Sequence, residues 1–522
     1  MNTAVVNIII SLCKTFLVIL LVLYAYYKYR YSYWKKKGVA YLEPSFPFGN
    51  IGDALLQRKS VGLQFQDIYN KLAGHELGGA FSFIRPMLIV REPEMIKNIV
   101  VKDFVHFHGH GTYFDEESEP LSANLFTLSG YRWRNLRTNL TPTFTSGKMK
   151  TMFQILVDCG NELGKHVDQS AANGDNIEVK DILAKFSTDV IALFAFGVQC
   201  NCLKNPDAEF RKWGRKIFET NRKTGVKDVA MFVAPALPPI LKIPFVPLDV
   251  SQYFKKMVKE TVEYRESNRV KRNDFMQLLI EMENKGTLDT EEETSDTSKA
   301  DSLNDAGLTM NEIAAQAFIF FAAGFETSST TMSFCLYELA MNREVQERVQ
   351  EEIDAALRKH EDKITYEAIQ EMEYLDNVIS ETLRKYPPAP FLVRECTKKY
   401  TIPGTDVVIE KGTLIIIPVM GLHRDQKYYP DPERFDPDRF SKEMKDRTPQ
   451  FTYLPFGEGP RVCIGMRFGL QHIKVALVSL LSKYSFHVSN RTSVPLKTDT
   501  RSIITSAAGG VWLKIKKRFI NK

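Results

Sequence analysis

The chain has 522 residues, 44% of them apolar and 25% charged, the proportions of a globular protein with a large buried core, so disorder along the whole length is excluded. Lys and Arg number 69 against 63 Asp and Glu, a surplus of +6 that is too thin for a dedicated nucleic-acid binder of this length. The 7 cysteines (13, 159, 200, 202, 335, 396 and 463) are odd in number and irregularly spaced, which fits reduced thiols in a cytosolic domain and no disulfide framework.

Residues Ala4 to Tyr27 are apolar apart from Asn7, Ser11, Lys14 and Thr15. As a helix they extend about 36 Å at roughly 1.5 Å per residue, more than a hydrocarbon core of about 30 Å. Lys14 costs about 3 kcal/mol, which the surrounding Leu, Ile, Val and Phe, at about −0.3 to −0.6 kcal/mol each, outweigh. A cleaved signal peptide ends in small residues, whereas Tyr24, Tyr26 and Tyr27 and then the basic Lys28, Arg30, Lys35, Lys36 and Lys37 stand here. That order predicts a retained transmembrane helix with the following chain in the cytosol. Residues 1–37 thus read as an anchor with its basic flank, and 38–522 as one domain. Pro44 and Pro47 bar helix from the segment Glu43 to Asn50, which is expected to act as a semi-rigid hinge.

Alternating stretches predict strands within 79–90 and within 400–418, the latter punctuated by Gly404 and Gly412 and carrying the β-branched run Ile415 to Ile417. Most of the remainder reads as helix, giving a mainly α protein with a smaller β region. His106, His108 and His110 alternate as ligands on a strand would, but no carboxylate stands among them, and a metal site is disfavoured. Cys200 and Cys202 are too close for a C-x-x-C pair and lack a second pair. Residues 231–248 are apolar but broken by Pro235, Pro238, Pro239, Pro244 and Pro247, so they cannot span a membrane; a shallow membrane contact and an ordinary buried loop both fit. Residues 284–307 are rich in Glu, Asp, Ser and Thr and are expected to form a mobile acidic loop.

Beyond it, Thr309-Met310-Asn311-Glu312 has the spacing of a capping box and opens a helix through Ala323-Gly324-Phe325-Glu326-Thr327-Ser328, apolar on nearly every side and therefore central. Gly324 in mid-helix costs up to about 1 kcal/mol against Ala and needs a reason. Glu381 and Arg384 stand at i and i+3, where they can pair. His423-Arg424-Asp425 spells a kinase catalytic tripeptide, but the downstream Asn and a Gly-rich nucleotide loop are missing. In Phe456-Gly457-Glu458-Gly459-Pro460-Arg461-Val462-Cys463-Ile464-Gly465, the glycines at 457, 459 and 465 allow backbone N–H groups to approach a sulfur. A helix starting near Gly465 is expected to lower the Cys463 thiol pKa.

The spacing F-x-x-G-x-R-x-C-x-G resembles the haem-binding loop of the cytochrome P450 superfamily, and the resemblance runs from about residue 40 to the C-terminus. It implies the cytochrome P450 fold behind a transmembrane helix, with haem b bound and Cys463 as the axial ligand to its iron. Phe456 and Gly465 would shape the ligand loop, and Trp133, Arg137, Arg394 and Arg461 would hold the propionates. Gly324 would open a groove for dioxygen, beside which Thr327 donates a hydrogen bond and Glu326 delivers protons. Arg434, in Pro432-Glu433-Arg434-Phe435, would complete a structural triad with Glu381 and Arg384. By position, the pocket would comprise Phe107, His108, Phe114, Phe318, Phe321, Ala322, Phe391, Leu392, Ile503 and Ile504, apolar and aromatic enough to favour lipophilic small molecules.

The segments Pro120 to Phe126, Leu140 to Lys148 and Tyr386 to Pro390 are similar to those of insect microsomal enzymes that metabolise xenobiotics. The implied activity is a monooxygenase that inserts one oxygen atom from dioxygen into plant toxins or insecticides. Electrons would come from NADPH through NADPH-cytochrome P450 reductase, with cytochrome b5 as a further partner, on the cytosolic face of the endoplasmic reticulum membrane. Arg134, Lys148, Lys150 and Arg467 are candidates to dock an acidic partner. Three other functions fit the same loop: biosynthesis of endogenous terpenoid or steroid hormones, a haem-thiolate isomerase or dehydratase, and a haem sensor or lipophile carrier without turnover.

Overall fold

A computed structural model describes residues 3–218, 222–235, 240, 242–288 and 307–518. It begins with α1 (Thr3–Tyr31), an apolar helix whose large side chains stand exposed, and a short α2 (Tyr33–Lys36). The span Val5–Tyr31 is long and apolar enough to cross a membrane, with a mean hydropathy of 2.6.

A four-stranded sheet receives this helix. Strands β1 (Leu77–Ser82) and β2 (Arg85–Val90) form an antiparallel hairpin. Two later strands join it, β4 (Leu392–Glu395) and β5 (Leu414–Ile417), in the order β1-β2-β5-β4, with β2 and β5 parallel. Alternate side chains serve two cores, as the period of a strand requires. Phe81, Leu88, Ile415 and Ile417 face one cluster, while Ala80, Met87, Leu414 and Ile416 face the other. A second sheet pairs β3 (Asn176–Glu178), β6 (Tyr484–Val488) and β7 (Trp512–Lys517) in the order β3-β7-β6, antiparallel throughout.

Trp34 is fully buried, and its indole Nε1–H donates to the Ala80 carbonyl at 3.0 Å. Gly79 makes room for it: a Cβ there would lie 2.3 Å from the indole ring. The Tyr31 ring meets Phe81 at 5.2 Å, so the end of α1 is seated on β1 before the expected hinge is reached. The hinge itself is pinned, because Asn50 Oδ1 accepts the Phe81 N–H at 2.8 Å and Ser45 and Gly49 bond to each other through their backbones. Packing of the body therefore starts at Tyr31, and Glu43 to Asn50 is a fixed turn rather than a joint.

The helices that frame the interior are α3 (Gly130–Leu140), α4 (Ser146–Asn173), α5 (Val179–Ile191), α6 (Glu209–Ile217), α7 (Arg222–Val233), α8 (Leu248–Ser267), α9 (Met310–Met341), α10 (Glu373–Lys385) and α11 (Met466–Leu481). The 32-residue α9 runs through the middle, buried along most of its length. The capping box is formed: the Thr309 hydroxyl accepts the Glu312 N–H at 3.3 Å, and the Glu312 carboxylate accepts the Thr309 N–H at 2.9 Å. The acidic segment expected to loop from residue 284 begins instead inside a helix, Phe275–Leu288; residues 289–306 lie outside the described ones. In the proline-broken stretch, Met231, Val233 and Ala234 are buried while Ile240 and Leu248 stand 73% and 70% exposed. Residues 236–239 and 241 are outside the described set.

Candidate active site around Cys463

The loop that carries Cys463 folds back on itself, its Cys463 N–H donating to the Phe456 carbonyl at 2.9 Å. Gly457 and Gly459 have φ of +70° and +74°, and a Cβ on Gly459 would sit 1.9 Å from the Val100 carbonyl oxygen, so only glycine fits there. Gly465 differs from expectation: its φ is −88° and nothing lies within 4 Å of its missing Cβ. Its contribution is a backbone N–H, which together with Arg137 pulls the Cys463 thiol pKa down. Burial outweighs both and leaves that pKa above the usual value in the protein alone, against the lowering expected from the helix end. Cys463 nevertheless keeps an exposed surface while lying among protein atoms. The sulfur therefore opens onto interior space.

Three guanidinium groups gather beside this loop. Arg461 is 9% exposed and donates from Nε and Nη2 to the His108 carbonyl, from Nη1 to that of Leu125 (3.0 Å) and from Nη2 to that of Leu128 (2.5 Å). Its plane lies 4.1 Å from the centre of the buried Trp133 ring. Arg394 is 2% exposed; its Nη1 donates to the Val393 carbonyl, and its Nε has no partner. Arg137 donates to the Val462 carbonyl at 2.8 Å. Among the described residues no carboxylate pairs with any of the three. Burial and mutual repulsion push the Arg461 pKa down to about 8, and burial alone brings Arg394 to about 10.

On the central helix, Ala323 is exposed and Gly324 and Thr327 partly so, although Phe321, Ala322, Phe325 and Glu326 around them are buried. An exposed patch in mid-helix marks a second wall of interior space. The Thr327 hydroxyl donates to the Ala323 carbonyl one turn back at 2.7 Å, a bond that loosens a helix locally. The glycine here also serves close packing, since a Cβ on Gly324 would lie 2.6 Å from Ile191 Cδ1 on α5. Glu326 is 8% exposed and forms an ion pair with Lys180 of α5 at 2.7 Å, while the Thr330 hydroxyl donates to it at 3.4 Å. Lys180 carries no local motif and is found only once α5 is laid against α9.

Under the site, Glu381 and Arg384 are both 0% exposed and form a two-point pair at 2.7 and 2.8 Å. The third charge is not Arg434, which is exposed. It is Arg439, whose Nε lies 3.6 Å from Glu381 and whose Nη2 donates to the Asp431 carbonyl. The pattern Pro-acid-Arg-Phe occurs twice, at 432–435 and five residues later at 437–440, and the chain turn after Asp436 brings only the second copy inward. Arg439→Ala is accordingly expected to lower the unfolding midpoint, whereas Arg434→Ala should stay within about 0.5 kcal/mol of the parent; chemical denaturation of both variants checks this.

The expected pocket residues divide. Phe318, Phe321 and Ala322 lie in the main core, with Phe321 edge-on to Phe210 at 4.8 Å, and Phe114 packs at its margin. Phe391 and Ile503 share another cluster with Phe65 and Phe232. Phe107, at 1% exposure, packs on Tyr400 beneath the first sheet, and Phe321, at 0%, is closed off by its neighbours, so neither offers a ligand any surface. His108 holds the Gly130 N–H through Nδ1, and Leu392 and Ile504 remain partly exposed. Phe126 and Phe232, 6.0 Å apart, were not singled out from sequence.

The histidine alternation is structural: His110 Nδ1 bonds to the Phe126 carbonyl and stacks on that ring, and no metal-binding cluster of His, Cys, Asp or Glu occurs among the described residues. His423-Arg424-Asp425 is likewise spent on packing. His423 accepts the Leu454 N–H, Arg424 donates to the Lys385 carbonyl and Asp425 accepts the Tyr69 hydroxyl.

Comparison with known proteins meets this geometry. The family match is Cytochrome P450, over residues 44–513. The chain belongs to the cytochrome P450 family. Its relatives include cytochrome P450 6k1 of Blattella germanica, 43% identical over 498 residues that cover 95% of this chain and 94% of the relative. Probable cytochrome P450 6a14 of Drosophila melanogaster is 42% identical, covering 93% and 96%. Cytochrome P450 6a2 of the same fly is 40% identical, covering 95% and 97%. As a P450 the chain is a haem monooxygenase, and the site fits that group. Two buried cations and a half-buried one, without carboxylates, match the two propionates of a haem, and a cysteine sulfur open to the interior matches a thiolate ligand.

Proposed function

We propose that this P450 oxidises lipophilic foreign compounds such as plant toxins and insecticides, with Cys463 as the axial ligand to the haem iron. The observation that carries the site assignment is the Arg137–Arg394–Arg461 group beside Cys463, cationic and without acidic partners, with Arg394 and Arg461 buried and Arg137 half-buried. Trp133 holds the Arg461 guanidinium in plane, and Arg461 in turn ties the cysteine loop to residues 108–128 through their carbonyls. Arg394, with a free buried Nε–H, and Arg137 supply the donors for the propionates. Haem bound through a thiolate supplies the activation of dioxygen.

The remaining work falls to α9. Thr327 holds a hydroxyl proton at the exposed face of the helix, directed in the resting state to the Ala323 carbonyl. Glu326, bonded to Lys180, is the group that passes protons inward. Thr327→Ala is expected to retain haem and substrate binding while a larger share of NADPH oxidation ends in hydrogen peroxide; unchanged coupling removes Thr327 from proton delivery. Electrons come from NADPH through NADPH-cytochrome P450 reductase, with cytochrome b5 as an additional donor, at the endoplasmic reticulum membrane in which α1 is the anchor. Arg134, Lys148 and Arg467 remain exposed for such partners, and Lys150 is already paired with Glu367. Turnover assays with NADPH and reductase against plant toxins, insecticides and endogenous terpenoids test the role. Products from the foreign compounds support detoxification, and products from the endogenous set alone refute it.

A further inference from the structure

Helix α7 carries Gly225, Asp228, Val229 and Phe232 at i, i+3, i+4 and i+7, a single face. That face looks inward. A Cβ on Gly225 would lie 2.6 Å from the Arg501 carbonyl oxygen, Val229 is 2% exposed, and the Phe232 ring stands 6.0 Å from Phe126 and 6.4 Å from Phe391. Ile503 packs in the same cluster. An acid in such a row is costly, because a carboxylate among apolar side chains loses hydration that nothing returns.

Asp228 is partly buried and has no hydrogen bond or ion pair among the described residues. Protein around it raises its carboxyl pKa to about 6, so it remains ionised at neutral pH. Neither cation nearby pairs with it. Lys227, whose charge acts on Asp228 and on Glu119, donates to the Phe245 carbonyl at 3.2 Å, and Arg501 is paired with Asp499 at 2.7 Å. Glu119 itself accepts the Phe245 and Val246 N–H groups. What remains is one anion, not fully closed off, beside aromatic rings whose faces also attract positive charge.

We propose that Asp228 is the counter-ion for a positively charged nitrogen in the substrate, so that the enzyme prefers lipophilic amines over neutral compounds of the same shape. This rests on reading the space among Phe126, Phe232, Phe391 and Ile503 as part of the substrate pocket. The test is spectral titration of the full-length, haem-loaded protein with two probes, an arylalkyl trimethylammonium ion and its neutral tert-butyl isostere. The quaternary nitrogen neither titrates nor binds iron.

The cation is expected to bind the parent protein more tightly than the isostere. Asp228→Asn should raise the cation's Kd on the order of tenfold while leaving that of the isostere within about twofold, and Asp228→Glu should keep the preference. An unchanged ratio of the two Kd values in Asp228→Asn, or a loss as large in Asp228→Glu, overturns the proposal. If that happens while the isostere still shifts the haem spectrum, the pocket and the monooxygenase reading stand. Should neither probe shift the spectrum of a haem-loaded protein, the pocket reading falls and takes the proposal with it.

Discussion

Arg384→Ala is expected to cost the protein about 3–5 kcal/mol, a large share of a typical total of about 5–15 kcal/mol. Arg384 and Glu381 are 0% exposed. The guanidinium also donates to the His423 carbonyl at 2.9 Å and the Pro432 carbonyl at 2.7 Å, tying α10 to the segment that leads into the cysteine loop. Its removal leaves Glu381 buried with only the Asp436 N–H and the single contact from Arg439 at 3.6 Å to answer its charge. Two carbonyls lose their donors at the same time. Arg384→Lys should rescue little, since an ammonium cannot make the two-point contact with the carboxylate. Denaturant unfolding and haem content of the purified variants read the effect, and an unfolding midpoint equal to that of the parent contradicts it.

Cys463→Ala is expected to do the reverse, abolishing turnover while sparing the fold. The loop around the sulfur is built by backbone and by neighbours: the Cys463 N–H on Phe456, the five Arg461 bonds to carbonyls, and the left-handed Gly457 and Gly459. The side chain itself is exposed to the interior and packs little. The unfolding midpoint of the haem-free protein should therefore move by less than about 1 kcal/mol, while NADPH-dependent product formation falls to background. A variant with appreciable turnover shows that another residue ligates the iron.

Local chemistry made much of this molecule readable in advance. A capping box needs only Thr309 and Glu312, and a left-handed turn announces itself through Gly457 and Gly459; both formed as expected. What stayed hidden depends on partners far along the chain. Arg434 and Arg439 stand in near-identical tetrapeptides, and only the path of the chain decides which of them meets Glu381, 58 residues before the second. Lys180 became relevant only beside Glu326, and Trp34, set among the basic residues that follow the apolar stretch, only where Gly79 leaves space for it. Phe107 and Phe321 illustrate the opposite error. An aromatic residue in a pocket-forming segment is just as well satisfied by the core, and these two are. The charge on Asp228 was equally silent in sequence, because the face it occupies is defined by what Phe232 and Gly225 touch.

One spectrum tests the central claim, that iron is held through the Cys463 sulfur. The purified full-length chain, loaded with haem, is reduced and exposed to carbon monoxide, and its absorption is compared with that of the reduced protein alone. A red-shifted Soret band of the thiolate-ligated complex is the expected result. A band at the position typical of nitrogen ligation, in a correctly folded sample, or no haem uptake at all, contradicts it.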